Sequence, residues 1–230
     1  MPLGIVILTG AGISAESGLS TFRGSDGSWE GHRISEVATL EGFAADPHAV
    51  QQFYNGLRRQ LYHVEPNAAH DALARLEHEL GPSNVHLVTQ NIDDLHQRAG
   101  STALTAMHGE LRQIRNIATG EVRSWTQDVT ETDKEWRPNV VWFGERTIGL
   151  AEVTEKLSTA GMFVAVGTSG TVYPANQFAA IAKQAGAITV EINTEPTDAP
   201  FDQRFIGPAA QRVPPFVERL IQCYKQVRRS

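Results

Sequence analysis

Apolar residues concentrate in short stretches at positions 5–8, 85–89, 138–143, 162–166 and 187–192. Runs of this length read as buried strands. Between them the pattern shifts to helical spacing. Asp46-Pro47 opens a helix running towards Tyr62, with Val50, Phe53, Leu57 and Leu61 as its core-facing stripe. Asn67 caps a second helix, striped by Ala68, Ala72, Leu73, Leu76 and Leu80 and ended by Gly81-Pro82. Further helices are expected at 34–40, 150–160, 174–184 and from Pro214 to about Val227. Segments 111–117 and 121–125 flank Ala118-Thr119-Gly120, which reads as a hairpin turn, and residues 20–33 read as a long loop. Strand-helix alternation predicts an α/β fold: a Rossmann-like, doubly wound parallel sheet with helices on both faces and right-handed crossovers. The expected layout is one domain, with a core from 1–19, 66–108 and 139–230 and a small lobe inserted as 20–65 and 109–138.

Composition changes this picture little. The chain has 230 residues, 41% of them hydrophobic, and a formal net charge of −6. That suits one sizeable core and leaves no room for a second full domain. No apolar run is long enough to span a bilayer and no leader pattern precedes the first strand, so the expected compartment is the cytoplasm and no membrane partner is expected. Lys and Arg are dispersed apart from the terminal Lys225, Arg228 and Arg229, so no nucleic acid is expected either. Cys223 is the only cysteine, which excludes an internal disulfide.

The chemistry begins where the first strand ends. Gly10 and Gly12 leave no side chain between backbone and ligand, and Ala15 takes the third small position of a G-x-G-x-x-G/A turn, with Gly18 beyond it. Such a turn, opening a helix, is a phosphate cradle. A tight strand-to-helix connection that binds nothing is the alternative. The acidic ribose partner of dehydrogenase folds is missing from its usual place about 20 residues on, where a Gly- and Ser-rich cover loop stands instead. Gln90-Asn91-Ile92-Asp93 lies at the carboxyl end of an expected strand, where open α/β sheets bind ligands. His108, one of eight histidines, has a pKa range suited to accepting a proton near neutrality.

Taken together, Gly10-Ala11-Gly12-Ile13-Ser14-Ala15-Glu16-Ser17-Gly18, Thr21-Phe22-Arg23, Thr89-Gln90-Asn91-Ile92-Asp93 and Met107-His108-Gly109-Glu110 resemble, in order, the signatures of the sirtuins, the NAD-dependent protein deacylases. Val140-Val141-Trp142-Phe143-Gly144-Glu145, Gly167-Thr168-Ser169 and Glu191-Ile192-Asn193 extend the resemblance over nearly the whole chain, and it is closest to the bacterial class III type. The resemblance implies NAD as co-substrate, acyl-lysine proteins or peptides as partners, and release of nicotinamide, O-acyl-ADP-ribose and free lysine. It assigns His108 as base, with Asn91 and Asp93 holding the nicotinamide end. Cofactor contacts are implied at Gly10, Ala11, Gly12, Ile13, Ser17, Gly18, Thr21, Phe22, Arg23, Gln90, Ile92, Gly167, Thr168, Ser169, Asn193 and Ala209. Substrate contacts are implied at Val141, Trp142, Phe143, Gly144 and Glu145.

Two departures stand out. Relatives generally carry two Cys pairs in the small lobe that hold zinc, but 111–139 contains no Cys and no His, so no metal is expected. Class III relatives that remove succinyl or malonyl groups use Tyr-x-x-Arg on the helix after Pro47. Here Tyr54 matches but position 57 is Leu, with Arg58 about 100° further round the helix. Neutral acyl groups, acetyl above all, are therefore expected over acidic ones unless Arg58 curls back. ADP-ribosyl transfer to protein, NAD hydrolysis and a non-catalytic NAD sensor are the other readings.

Overall fold

The computed structural model describes residues 4–21 and 28–227. Its centre is a six-stranded, all-parallel sheet built from β1 (Ile5–Thr9), β4 (Val85–Thr89), β5 (Leu104–Ala106), β9 (Met162–Val166), β10 (Ile188–Asn193) and β11 (Gln203–Ile206). The spatial order is β11-β10-β9-β1-β4-β5, so strand order reverses beside β1 and a crevice opens at the carboxyl ends of β1, β4 and β9.

Strand alternation assigns each face its helices. Ile5 and Ile7 point to one side, where α4 (Ala68–Leu80) and α8 (Ala209–Val227) cover them with Leu73, Leu76, Val213 and Val217. Val6 and Leu8 point to the other, under Val153 and Leu157 of α6 (Leu150–Thr159) and Phe178 and Ala182 of α7 (Phe178–Gln184). A short α5 (Leu95–Ala99) follows β4.

The small lobe combines two hairpin-like pieces with three helices. Two-residue strands β2 (Ser28–Trp29) and β3 (His32–Arg33) pair around Glu30 and Gly31, both at positive φ, as two-residue hairpin turns require. Then come α1 (Ile34–Val37), α2 (Leu40–Ala45) and α3 (Pro47–Gln60), the last capped by the Asp46 carboxylate, which accepts from the Ala49 N–H at 2.9 Å. A three-stranded antiparallel sheet, β7-β6-β8, joins β6 (Gly109–Asn116), β7 (Val122–Ser124) and β8 (Trp136–Val140).

Three expectations are corrected here. The strand expected at 138–143 runs Trp136–Val140 and pairs with β6, so the lobe's sheet extends past 139. Residues 141–143 leave it, tied to the lobe by the Phe143 N–H on the Ala38 carbonyl at 3.0 Å. The closing helix starts at Ala209, not Pro214, because Ala209 and Val213 join the same buried stripe as Phe216, Val217 and Ile221. Packing carries the helix through Pro214 and Pro215, which local propensity would put at its start. Edge strands β5 and β11 lie in stretches to which no strand was assigned from sequence.

Candidate active site

β1 ends in Thr9 and turns through Gly10 into two single 3₁₀ turns, Ala11–Ile13 and Ala15–Ser17, instead of one helix. The glycines are required first by packing. A Cβ on Gly10 would lie 2.8 Å from the Gly167 carbonyl oxygen, one on Gly12 2.7 Å from the Gly167 Cα, and one on Gly167 2.5 Å from the Ile13 nitrogen. Backbone therefore meets backbone at the ends of β1 and β9, and the turn is pressed onto the floor of the crevice.

That crevice is a cleft of about 2120 Å³ between the sheet and the lobe. Single-ligand pockets of roughly 300–1,000 Å³ are the norm, so it has room for a dinucleotide and a peptide together. Gly10, Ala11, Gly12, Thr21, Gln90, Asn91, Ile92, Asp93, His108, Gly167, Thr168, Ser169, Asn193 and Ala209 all line it. Ile13, Ser17 and Gly18 do not. Ile13 is a core residue, the Ser17 hydroxyl accepts from Asn67 Nδ2 at 2.9 Å, and Gly18 closes the second turn at φ 97°. Phe22 and Arg23 lie outside the described residues.

Strand-end hydrogen bonds fix the polar groups. The Gln90 N–H donates to the Thr9 carbonyl at 2.9 Å and Gln90 Nε2 to Thr168 Oγ1 at 2.9 Å. Asn193 Nδ2 donates to the Thr168 carbonyl at 2.9 Å. His108 Nδ1 lies 2.9 Å from the Gln90 carbonyl oxygen, which can only accept, so Nδ1 carries the proton and Nε2 keeps its lone pair. Burial pulls the ring's pKa below its ordinary value, partly offset by that bond. A neutral imidazole with a free Nε2 at neutral pH is the form a general base needs. Gly109, at φ 82°, lets β6 begin immediately beside it, since any Cβ there would collide with the Asn139 carbonyl.

Beneath the cleft lies a buried polar chain that ties Asn91 and Asp93 to Ser14, Thr9, His70 and His96, four residues not assigned to the site from sequence. Ser14 Oγ donates to Asp93 Oδ2 at 2.9 Å and accepts from Asn91 Nδ2 at 3.1 Å. His70 Nε2 sits 3.5 Å from Ser14 Oγ, and His96 Nε2 sits 2.9 Å from Thr9 Oγ1. Ser14 stood in the quoted glycine motif, and its polarity inside a tight turn was the available signal. The histidines were legible only as helix residues. Both prove structural, fully buried groups whose rings meet edge to face at 4.8 Å. Burial raises the Asp93 carboxyl and lowers His70 to about 4 and His96 to about 3.

The lobe-side wall of the cleft is organised by Glu145. Its carboxylate accepts from Arg137 Nη2 at 2.6 and 2.8 Å, from Arg115 Nη2 at 3.2 Å and from the Trp142 N–H at 2.9 Å. Glu145 borders the cleft but is spent inwards, shaping the 141–145 loop. Arg137 stacks 4.0 Å from the Trp142 ring centre, and Trp142 Nε1 donates to the Tyr54 hydroxyl at 2.8 Å. Val141, Trp142, Phe143 and Gly144 line the cleft, with Phe143 half exposed at its lip. Tyr54 and Leu57 form the far wall. Arg58 faces away, its Nε on the Leu111 carbonyl at 2.9 Å and its Nη1 on Asn55 Oδ1 at 2.7 Å.

The Sir2 family model matches residues 10–174. The NAD-dependent protein deacylase of Shigella flexneri is 53% identical over 230 residues, 95% of this chain and 84% of that protein. The protein of the same name from Pasteurella multocida is 48% identical over 229 residues, covering 94% and 97%. Among solved structures, a Sir2 homologue in complex with NAD superposes with a TM-score of 0.86 at 35% identity, covering 95% of this chain and 90% of that one. A Sir2 complex with 2′-O-acetyl-ADP-ribose and a deacetylated p53 peptide gives 0.78 at 27% identity, covering 95% and 93%.

His70 and His96 make stability pH-dependent in a definite direction. Their folded pKa values lie below the unfolded value near 6.5, so the unfolded chain takes up protons first and stability falls as pH drops through about 6.5. Each histidine should cost about 2 kcal/mol between pH 6.5 and 5, while Asp93, shifted up, opposes the trend. Urea unfolding at pH 7 and 5 should show His96→Gln losing about 2 kcal/mol less than wild type over this interval.

Proposed function

This chain belongs to the Sir2 family, and from that premise we propose that it is an NAD-dependent protein-lysine deacylase. NAD, when bound, would supply a ribose carbon that gives up nicotinamide and takes the acyl oxygen, and one water would complete the release of O-acyl-ADP-ribose and free lysine. The cleft fits such a cofactor: backbone turns without intervening side chains at Gly10, Ala11 and Gly12, polar strand ends at Thr168, Ser169 and Asn193, and an amide-carboxyl pair at Asn91 and Asp93. Asn91 and Asp93, locked together through Ser14, orient the nicotinamide end. His108 Nε2 takes a proton from a ribose hydroxyl. The 141–144 segment, held by Glu145, receives the substrate backbone, and Tyr54 and Leu57 bound the acyl group.

The observation that carries this reading is the His108–Gln90 hydrogen bond, which presents a neutral base beside the Asn91–Ser14–Asp93 cluster in one cleft. Incubation with NAD and an acyl-lysine peptide tests it. O-acyl-ADP-ribose supports a deacylase, labelled protein or free ADP-ribose alone a transferase or NAD hydrolase, and no turnover an NAD sensor. The proposed compartment is the cytoplasm, supported by the lone Cys223, which favours reducing surroundings.

The acyl group we assign is neutral, acetyl first. Arg58 is fully buried, lowered to about 10 by that burial, and committed to Leu111 and Asn55, so the wall facing an acyl end is Leu57. A carboxylate arriving there would lose hydration without a partner.

His108→Ala should lower turnover about 10²–10⁴-fold while leaving NAD affinity, read by calorimetry, largely unchanged. Equal loss of both would reassign the ring to binding. For acyl choice, kcat/KM on acetyl- and succinyl-lysine forms of one peptide should favour acetyl by at least about tenfold in wild type, with Leu57→Arg raising the succinyl value. A succinyl preference in the wild type would refute the neutral wall.

A further inference from the structure

The small lobe lacks the donors that the family's zinc would need. Its second insertion, 109–138, contains no Cys and no His, and among the described residues no group of three His, Cys, Asp or Glu could hold a metal ion. Its carboxylates are already engaged. Asp128 pairs with Arg59 Nη1 at 2.6 Å, Glu131 with His48 Nδ1 at 2.5 Å, Asp133 accepts from the Thr130 N–H and hydroxyl, both at 2.8 Å, and Glu135 accepts from Trp136 Nε1 at 3.2 Å. The residues present do not fit zinc, yet the segment between β7 and β8 is ordered against the lobe.

What it rests on is one face of α3. His48, Asn55 and Arg59 of α3 and Tyr62 just past its end reach this segment, and Gln51, on the same face, reaches the first residue of β8. Asn55 is the buried member, 1% exposed. Its Nδ2 donates to the Val129 carbonyl at 2.9 Å while its Oδ1 accepts the Val129 N–H at 2.9 Å, so one side-chain amide satisfies both backbone groups as a neighbouring strand would. Arg58 Nη1, on the same Oδ1 at 2.7 Å, fixes which way the amide faces. Gln51 Nε2 adds the Trp136 carbonyl at 2.7 Å. Val129, Ile114 and Trp136 then close a separate small core, with Arg123 over the Trp136 ring at 4.4 Å.

We propose that this face of α3, through the Asn55–Val129 clamp, holds the lobe in place of the metal, and that Asn55 is thereby a positioning residue for the acyl pocket. The coupling is direct, because the same helix presents Tyr54 and Leu57 to the cleft. Asn55 Oδ1 also holds the Arg58 guanidinium away from it. A helix released from the 126–136 segment loses the register that sets the pocket's far wall.

The test uses the full chain. Wild type should carry no stoichiometric metal and should keep its melting temperature in a strong chelator. Asn55→Ala leaves both Val129 groups buried and unpaired, and should lower the melting temperature by on the order of 5 °C or more. Amide exchange over 126–136 should quicken by at least about tenfold, with the sheet strands unchanged. Should the alanine variant fail to fold, Asn55→Asp keeps the acceptor for Val129 and Arg58, removes only the donor, and should show the same exchange pattern to a smaller degree. In kinetics, the KM for acyl peptide should rise with the KM for NAD unchanged. That arm alone rests on the deacylase reading, so failure of the reading leaves the exchange and metal results standing. One tightly bound zinc per chain whose removal lowers the melting temperature, or unchanged exchange over 126–136 in both variants, would overturn the proposal.

Discussion

Backbone meets backbone where Gly167 packs on Gly10 and Gly12, and the rest of the cleft is built outward from that contact. A single methyl at any of the three would intrude to between 2.5 and 2.8 Å of main-chain atoms, closer than real Cβ contacts come. The contact sets the ends of β1 and β9 side by side, and β4 is tied to the same point by the Gln90 N–H on Thr9. Three strand ends thus become one rigid edge. From it project Gln90, Thr168 and Asn193, cross-linked to one another, and the Gln90 carbonyl that orients His108. The His108 ring is therefore positioned by the sheet and not by a flexible loop, which suits the proton transfer proposed for it.

The opposite wall obeys a different rule. Glu145 gathers Arg137, Arg115 and the Trp142 N–H, Arg137 stacks on Trp142, and Trp142 holds the Tyr54 hydroxyl. The buried Arg137 and the half-buried Arg115 and Glu145 are tolerated this close because each is paired and hydrogen-bonded. Sheet edge and lobe meet at His108, whose carbonyl accepts the Val141 N–H at 2.8 Å. The 141–145 segment and His108 are thus fixed relative to each other by main chain.

What the sequence made legible follows from the range of the forces involved. The four parallel core strands at 5–8, 85–89, 162–166 and 187–192 are largely buried between helices on both faces and announce themselves as predominantly apolar stretches, interrupted only at His86, Thr89, Thr189 and Glu191. The α3 and α4 stripes and their Asp46 and Asn67 caps are equally local. Asn91, Asp93 and His108, singled out by their motifs, line one cleft in the structure. Strands β5 and β11 were not legible, since they are only three and four residues long, carry little apolar signal of their own, and pair as edge strands with β4 and β10. Ile13, Ser17 and Gly18 belong to the same turn but do not line the cleft, because a motif identifies the turn without saying which of its side chains face in. His70 and His96 were legible as helix residues but not as partners of Ser14 and Thr9, a contact made across 56 and 87 positions of chain.

The central claim is that the sheet edge delivers His108 as a neutral base with its proton on Nδ1. Nitrogen-15 NMR of the imidazole, assigned by comparison with His108→Ala, reads this directly. The account predicts at neutral pH the Nδ1–H tautomer with Nε2 unprotonated, titrating below the ordinary histidine range. A ring found as the Nε2–H tautomer, or one already protonated at pH 7, would contradict it.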